Sequence, residues 1–360
     1  MDIPTESLVI MSSRSSLIVR PSLSRAASIG LIAALVAASA IAGASSAQAV
    51  SAPRAPYLLP APTRIQGIDR YDQAIQVSSA TRMADIVYVV SGERFADALS
   101  TSAVAAHHDS PLLLTPHDFV PQNVLAELAR LHPSTVVVVG GTAAVSDAAM
   151  EQLSQGVSGA TVVRIDGADR YEVSRKLLAD PTVGAARRGT IFAVTGADFP
   201  DALTATPAAV HTDVSPVLLL NGSATDLSSA ENALLDELGV RSVGLVGGQR
   251  SVSAALETSL GEDRIVRRIE GADRFATGVA VNNAAFTSAS TVYLASGTSF
   301  PDALSGGARA AREGAPLYVV LHDCVPTAVL DDIGRLQPQR IVILGGPAAL
   351  GAGVDALTPC

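Results

Sequence analysis

The sequence predicts an α/β protein built from three tandem copies of one doubly wound module. Three observations carry this expectation. One set of short motifs returns in the same order at intervals of 100 and then 104 residues. Within each copy, brief apolar runs rich in Val, Ile and Leu alternate with stretches whose apolar residues fall three and four apart. Gly, Pro and Ser stand at the joints, in positions suited to ending strands and starting helices.

The first copy sets out the elements. Ile86 to Val90, Pro111 to Leu114 and Val136 to Val139 are unbroken apolar runs, and such runs read as strands covered on both faces of a parallel sheet. Tyr71 to Arg82, Ala96 to His107 and Gln122 to Leu131 have helical spacing and fall between them. Pro121 opens the last of these helices, and Pro326 its counterpart in copy three, where the missing N–H costs nothing. Ser146 and Ser253 are placed as N-caps of the final helix of copies one and two. The short run ending Val163-Arg164-Ile165 follows one copy's last helix and precedes the next copy, so it can complete either sheet.

The repeats are defined residue by residue. Arg64-Ile-Gln-Gly-Ile-Asp-Arg-Tyr71 returns as Arg164-Ile-Asp-Gly-Ala-Asp-Arg-Tyr171 and Arg268-Ile-Glu-Gly-Ala-Asp-Arg-Phe275. Ser91-Gly-Glu-Arg-Phe-Ala-Asp-Ala-Leu99 matches Thr195-Gly-Ala-Asp-Phe-Pro-Asp-Ala-Leu203 and Ser296-Gly-Thr-Ser-Phe-Pro-Asp-Ala-Leu304. A third apolar strand in each copy ends in a pair of glycines: Gly140-Gly141, Gly247-Gly248 and Gly345-Gly346. A period near 100 residues is too long for a solenoid turn, so each copy is expected to form a small domain.

The flanks read differently. Arg14, Arg20 and Arg25 precede an Ala-rich apolar stretch that ends in Ala47-Gln48-Ala49, the small-x-small pattern of a cleaved signal peptide. Residues 1–49 are therefore expected to be a signal peptide, with an uncleaved membrane anchor as the rival reading, and residues 50–63 an Ala- and Pro-rich linker. The repeats are expected at 64–160, 161–264 and 265–360. Cleavage after Ala49 leaves 22 basic against 32 acidic side chains. An acidic chain of this kind is a poor partner for nucleic acid, and no later segment is long and apolar enough to span a membrane. Two cysteines, Cys324 and Cys360, are able to pair in an oxidising exterior, although no spacing rule predicts it.

Taken together, the Arg-x-x-Gly-x-Asp-Arg-Tyr/Phe block, the Ser/Thr-Gly-x-x-Phe-x-Asp-Ala-Leu block and the strand ending in Gly-Gly resemble the type 2 cell wall-binding repeat family of Gram-positive surface proteins. The resemblance covers about residues 64 to 360. It implies Rossmann-like or flavodoxin-like modules about a pseudo-threefold axis, and a secreted protein held non-covalently at the cell surface. The implied partner is an anionic secondary polymer of the wall, or else peptidoglycan. Members usually carry a further effector domain, and none is expected within residues 1–360. A monomer with an internal pseudo-trimer is expected, with no cofactor and no metal.

Several repeated residues are candidates for that contact. Arg70, Arg170 and Arg274, together with Arg64, Arg164 and Arg268, offer guanidinium groups suited to phosphate or carboxylate. Asp69, Asp169 and Asp273 stand beside the first three, either pairing with them or capping a helix. Asp97, Asp201 and Asp302 begin a helix, as caps or as organisers of a pocket at the carboxyl ends of the strands. Gly92, Gly196 and Gly297 end a strand. The Gly-Gly pairs lack the spacing of dinucleotide or Walker loops and suit a tight turn, close packing or an anion approached by backbone. Phe95, Phe199 and Phe300 are expected in the core. Ser91 and Ser296 have no nucleophile elbow around them. His117-Asp118 and His322-Asp323 have no counterpart in copy two, which disfavours a metal role. Polar residues repeated alike three times suit multivalent attachment. A peptidoglycan hydrolase of the amidase kind and a surface-layer or adhesin component binding proteins are the competing expectations.

Overall fold

A computed structural model describes residues 58–360; the expected signal peptide and most of the expected linker lie outside them. The first repeat contributes β1 (Thr63–Ile65), α1 (Arg70–Ser78), β2 (Ile86–Ser91), α2 (Ala96–His107), β3 (Leu112–Thr115), α3 (Gln122–Leu131), β4 (Thr135–Val139) and α4 (Asp147–Gly156). The second contributes β5 (Thr161–Ile165), α5 (Arg170–Ala179), β6 (Thr190–Thr195), α6 (Pro200–Asp213), β7 (Val217–Leu220), α7 (Ser229–Leu238), β8 (Ser242–Val246) and α8 (Ala254–Gly261). The third contributes β9 (Ile265–Ile269), α9 (Arg274–Ala285), β10 (Thr291–Ser296), α10 (Pro301–Arg312), β11 (Leu317–Val320), α11 (Thr327–Leu336), β12 (Arg340–Leu344) and the single turn α12 (Ala352–Asp355).

The strands form three parallel sheets, ordered β3-β2-β4-β5, β7-β6-β8-β9 and β11-β10-β12-β1. The order within each is that of a shortened flavodoxin-like sheet, whose direction of winding reverses between its two central strands. Right-handed crossovers then put α2 on one face and α3 and α4 on the other. Their sequences match these places. Val87, Val89, Val136 and Val138 are fully buried, as two-sided coverage requires. Helix α3 keeps Val124, Leu128 and Leu131 inside together with Glu127, which Arg130 pairs, and turns Gln122, Asn123 and Ala126 outward, whereas α2 is buried almost all round and is built largely from Ala, Ser, Thr and Val.

That difference marks the centre of the molecule. Helices α2, α6 and α10 pack on one another, and small residues allow their close approach. At one end of this bundle Phe95, Phe199 and Phe300 form a triangle with ring centroids 5.6 to 5.9 Å apart. They are half-buried on the pseudo-threefold axis rather than inside any one module's core.

Repeat and module do not coincide. The strand that begins each sequence repeat pairs with the sheet of the preceding one: β5 runs beside β4, β9 beside β8, and β1 beside β12 at the other end of the chain. The expected boundaries at 161 and 265 therefore cut across the first and second sheets. Thr63, placed in the linker by sequence, is already paired with Val342. The three modules form a closed ring.

Candidate functional site

Each sheet has a crevice at the carboxyl ends of its two central strands, where the winding reverses and open α/β sheets offer space. The first, about 470 Å³, lies between the turn after β2 and the turn after β4, and is lined by Arg94, Asp97, Gly141, Ala144, Asp169 and Arg170. The second, about 310 Å³, includes Asp201, Gly248, Arg250, Asp273 and Arg274. The third, about 370 Å³, includes Asp302, Gly346, Asp69, Arg70 and His322. Every crevice thus joins the Asp and Gly-Gly of one repeat to the Asp-Arg of the next, and the third is completed from the start of the chain.

The Asp-Arg pair divides its work. Asp69 accepts from the backbone N–H groups of Tyr71 and Asp72 at 2.9 and 2.8 Å, the N-cap of α1, and Asp169 and Asp273 do the same for α5 and α9. The arginines face away from these caps. Arg70 donates to the carbonyl of Gly92 at 2.6 Å, Arg170 to Gly196 at 2.5 Å and Arg274 to Gly297 at 2.6 Å. The same guanidiniums favour ionised Asp302, Asp97 and Asp201 of the preceding module. Arg170 also sits 5.4 Å over the ring of Phe95. Each arginine therefore fastens two modules and presents its remaining N–H groups to the crevice.

Gly92, Gly196 and Gly297 are explained by the residue after the arginine. A Cβ on Gly92 would lie 2.7 Å from the Tyr71 ring, on Gly196 2.7 Å from Tyr171, and on Gly297 2.9 Å from Phe275. The hydroxyl before each glycine, on Ser91, Thr195 or Ser296, accepts from backbone N–H groups in the turn. Those hydroxyls serve the turn.

Asp97, Asp201 and Asp302 are not helix caps. The N-cap positions are Phe95, Phe199 and Phe300, with no side-chain cap. The carboxylates instead fill the space left by the first glycine of each Gly-Gly pair. Gly140, Gly247 and Gly345 have φ of +123°, +110° and +105°, and a Cβ there would come within 2.9 Å of Asp97 Oδ2 and 2.7 Å of Asp201 Oδ2, with Asp302 in the matching place. Burial pushes all three carboxyls above the usual range; the arginine of the neighbouring repeat opposes it.

Arg64, Arg164 and Arg268 stand outside the crevices, so their expected role in contacting ligand gives way to a structural one. Arg164 donates to the carbonyls of Gly140 and Val145 at 2.9 and 2.8 Å, Arg64 to Gly345 at 2.7 Å and Arg268 to Gly247 at 2.6 Å. Asp355 and Glu257 neutralise Arg64 and Arg268 at 2.7 and 2.8 Å. The N–H groups of the same glycines donate to Ile165, Ile65 and Ile269. Gly140, Gly345 and Gly247 are thereby held from both sides by the next repeat. Gly141, Gly248 and Gly346 line the crevices.

Sequence reasoning missed Arg94 and Arg250, which line the first and second crevices, and the exposed Ile68, which lines the third. None repeats, so a search for triplicated residues passes over them. His322 lines the third crevice, paired with Asp323 at 2.9 Å, while His117 pairs with Asp118 at 2.6 Å outside the first. Among the described residues there is no group of three or more acidic, His or Cys side chains able to hold a metal. Cys324 and Cys360 are joined by a disulfide with Cα atoms 5.6 Å apart.

A ring of three flavodoxin-like modules, with an Arg- and Asp-lined crevice at each junction, defines a pseudo-symmetric repeat protein. The family model for cell wall binding domain 2 matches residues 64–150, 164–257 and 268–355, and the chain belongs to that family. That family is described as one of cell wall-binding domains. The chain is 28% identical over 292 residues to N-acetylmuramoyl-L-alanine amidase LytC of Bacillus subtilis, covering 81% of this chain and 56% of the relative. It is 26% identical over 294 residues to the amidase enhancer of the same organism, covering 81% and 39%. The chain thus spans about half the length, or less, of these curated relatives. Among solved structures, Cwp6 from Clostridium difficile superposes with a TM-score of 0.74 at 24% identity, over 82% of this chain and 48% of that one. Cwp8 from the same organism gives 0.72 at 23%, over 83% and 51%. Both share the fold.

Proposed function

We propose that this chain attaches non-covalently to an anionic secondary polymer of the wall, with Arg70, Arg170 and Arg274 as the contacts in three equivalent crevices, and that the repeats bind without catalysing. The observation that carries the reading is the threefold return of one guanidinium, held by a glycine carbonyl yet open to a crevice at the switch point of a sheet. A guanidinium fixed in this way loses little freedom on meeting phosphate or carboxylate. Three such sites on one rigid ring face a polymer whose charges repeat, and effective concentration turns weak single contacts into firm attachment. Binding without catalysis follows from the same triplication, because a hydrolase needs one complete constellation rather than three partial ones. Export, which the Arg-led apolar leader suggests, agrees with a disulfide in the folded chain.

The test is co-sedimentation of the purified chain with native cell walls and with walls acid-stripped of secondary polymers. Binding falls at least tenfold on stripping, and by a similar factor when Arg70, Arg170 and Arg274 are all changed to Ala. A folded triple variant that binds like wild type sinks the proposed contacts. Undiminished binding to stripped walls moves the partner to peptidoglycan. Lysis of walls in a zymogram would restore the hydrolase reading that the amidase relative brings with it.

A further inference from the structure

The three crevices share their scaffold but differ in how their charges are paired, and one position on the turn after the first central strand decides the pairing. The residue before the axial phenylalanine is Arg94 in copy one, Asp198 in copy two and Ser299 in copy three. All three lie on the turn between strand and helix, and each lines its crevice beside the arginine supplied by the next repeat.

The consequences differ from crevice to crevice. In the first, Arg94 stands near Asp97 and adds a second guanidinium to that of Arg170, while the neighbouring Glu93 brings a carboxylate to the same lining. Neither arginine is in an ion pair within 4 Å among the described residues. In the second, Asp198 Oδ2 is 3.5 Å from Arg274, so the contacting arginine already has a carboxylate partner inside its own crevice. The second cation there is Arg250, which stands on the opposite wall beyond the Gly-Gly turn, where the other copies have Ala143 and Ala348. In the third, Ser299 is neutral and Arg70 is accompanied by His322. Volume follows the same order at one further residue: Ala96 begins the helix in the first crevice, whereas Pro200 and Pro301 begin it in the others, and the first is the largest.

We infer that the crevices are graded subsites, with the first, holding Arg94 and Arg170, as the principal site for an oxyanion of the wall, and the second held back from anions by Asp198. The inference rests on the proposed wall contact and names which junction carries most of it. Two guanidiniums flanking one space can grip a phosphodiester or a carboxylate from both sides, while an internal Asp must be displaced before Arg274 can do the same. Phosphate of a secondary polymer and carboxylate of a peptide stem share this chemistry, and stripped walls tell them apart.

Two substitutions borrow the residue that copy three already uses at this place. Arg94→Ser is expected to weaken retention on native walls about tenfold, the scale of a lost charge-assisted hydrogen bond. Asp198→Ser is expected to strengthen it about threefold, the scale of an exposed ion pair released. Circular dichroism and the thermal midpoint establish that each is folded, and Asp198→Asn serves where Ser disturbs the turn. An Arg94 effect that vanishes on acid-stripped walls assigns the oxyanion to the secondary polymer; one that persists supports the grading and assigns it to peptidoglycan. If Arg94→Ser and Asp198→Ser both bind like wild type while the triple arginine variant is lost, the grading is wrong and the wall contact stands. If the triple variant binds normally, both fall.

Discussion

Gly140 carries more information than its place in a Gly-Gly pair suggests. Its positive φ excludes most side chains, Asp97 occupies the volume a Cβ would need, and the next repeat bonds both its N–H and its carbonyl. Gly140→Ala is therefore expected to destabilise the chain by about 2 kcal/mol or more, from backbone strain alone, with the midpoint of thermal unfolding as the measure. Gly141→Ala, with only the Gly167 carbonyl near its missing Cβ, is the matched control and costs less. The sequence made the glycines and the aspartates visible as separate repeated signals, and even suggested a pocket at the strand ends. It did not join them, because Asp97 and Gly140 are far apart in the chain and nothing local ties their recurrence together; the capping role assigned to Asp97 was the local solution. Asp302 gives this arrangement a pH signature. Burial raises its carboxyl and Arg70 opposes the rise. A carboxyl raised in the folded state binds its proton more tightly there than in the unfolded chain. Its penalty is complete above the raised value and disappears as the pH falls through it toward the ordinary Asp range. Asp302→Asn is accordingly expected to melt above wild type at pH 7, with the difference closing near about pH 3.5. A constant difference across that range would mean that the carboxylate is not the source.

At the scale of elements, legibility depended on how far an element's partners lie along the chain. Helices α2 and α3 fall where three- and four-residue spacing puts them, and Ser146 and Ser253 are the caps that the sequence proposed. Helix α1 ends at Ser78 rather than running on to Arg82, because Thr81 and Arg82 turn away and their carbonyls accept from Arg130 of α3. Strands β1, β5 and β9 are the instructive cases. Their apolar residues fit either neighbouring sheet, and pairing is decided by Arg164 and its counterparts, which are long enough to reach the Gly-Gly turn of the sheet before them. The last repeat is finished in a different way. Its final helix is the single turn α12, and the chain after it lies alongside Val325, with the Val325 N–H on Thr358 and the Cys360 N–H on Val325. The Cys324–Cys360 disulfide fastens this short edge across a 36-residue separation. Loop closure of that length is worth about 4 kcal/mol in the chain-entropy account. Changing both cysteines to Ser, or reducing the wild type, should lower the thermal midpoint by several degrees and raise amide exchange around Val325 and Cys360. Unchanged exchange there would show that the backbone bonds hold the end without help.

For the molecule as a whole, the offset between repeat and module is what makes three domains into one body. If each repeat completed its own sheet, the modules would meet only through the central helices. Because every sheet borrows its last strand and every crevice its arginine, no module is whole without the next, and the third depends on the first. β1 is the closing piece: three residues that pair with Val342, Ile343 and Leu344, with Arg64 bonded to both the Gly345 carbonyl and Asp355. A chain begun at Gly67 keeps every residue of the three crevices and loses only this closure. It is expected to unfold at a lower temperature. In hydrogen exchange, protection should fall along β12 while β4 and β8, whose borrowed strands remain, keep theirs. Wall binding should weaken as well, since Arg70 then stands on a segment no longer pinned to the third sheet and its distance from Asp302 is free to vary. Uniform loss of protection in all three sheets would instead mean that the ring opens as one cooperative unit. Full protection of β12 would mean that the central helices alone hold the third module in place, and that the borrowed strand is an edge cover rather than a clasp.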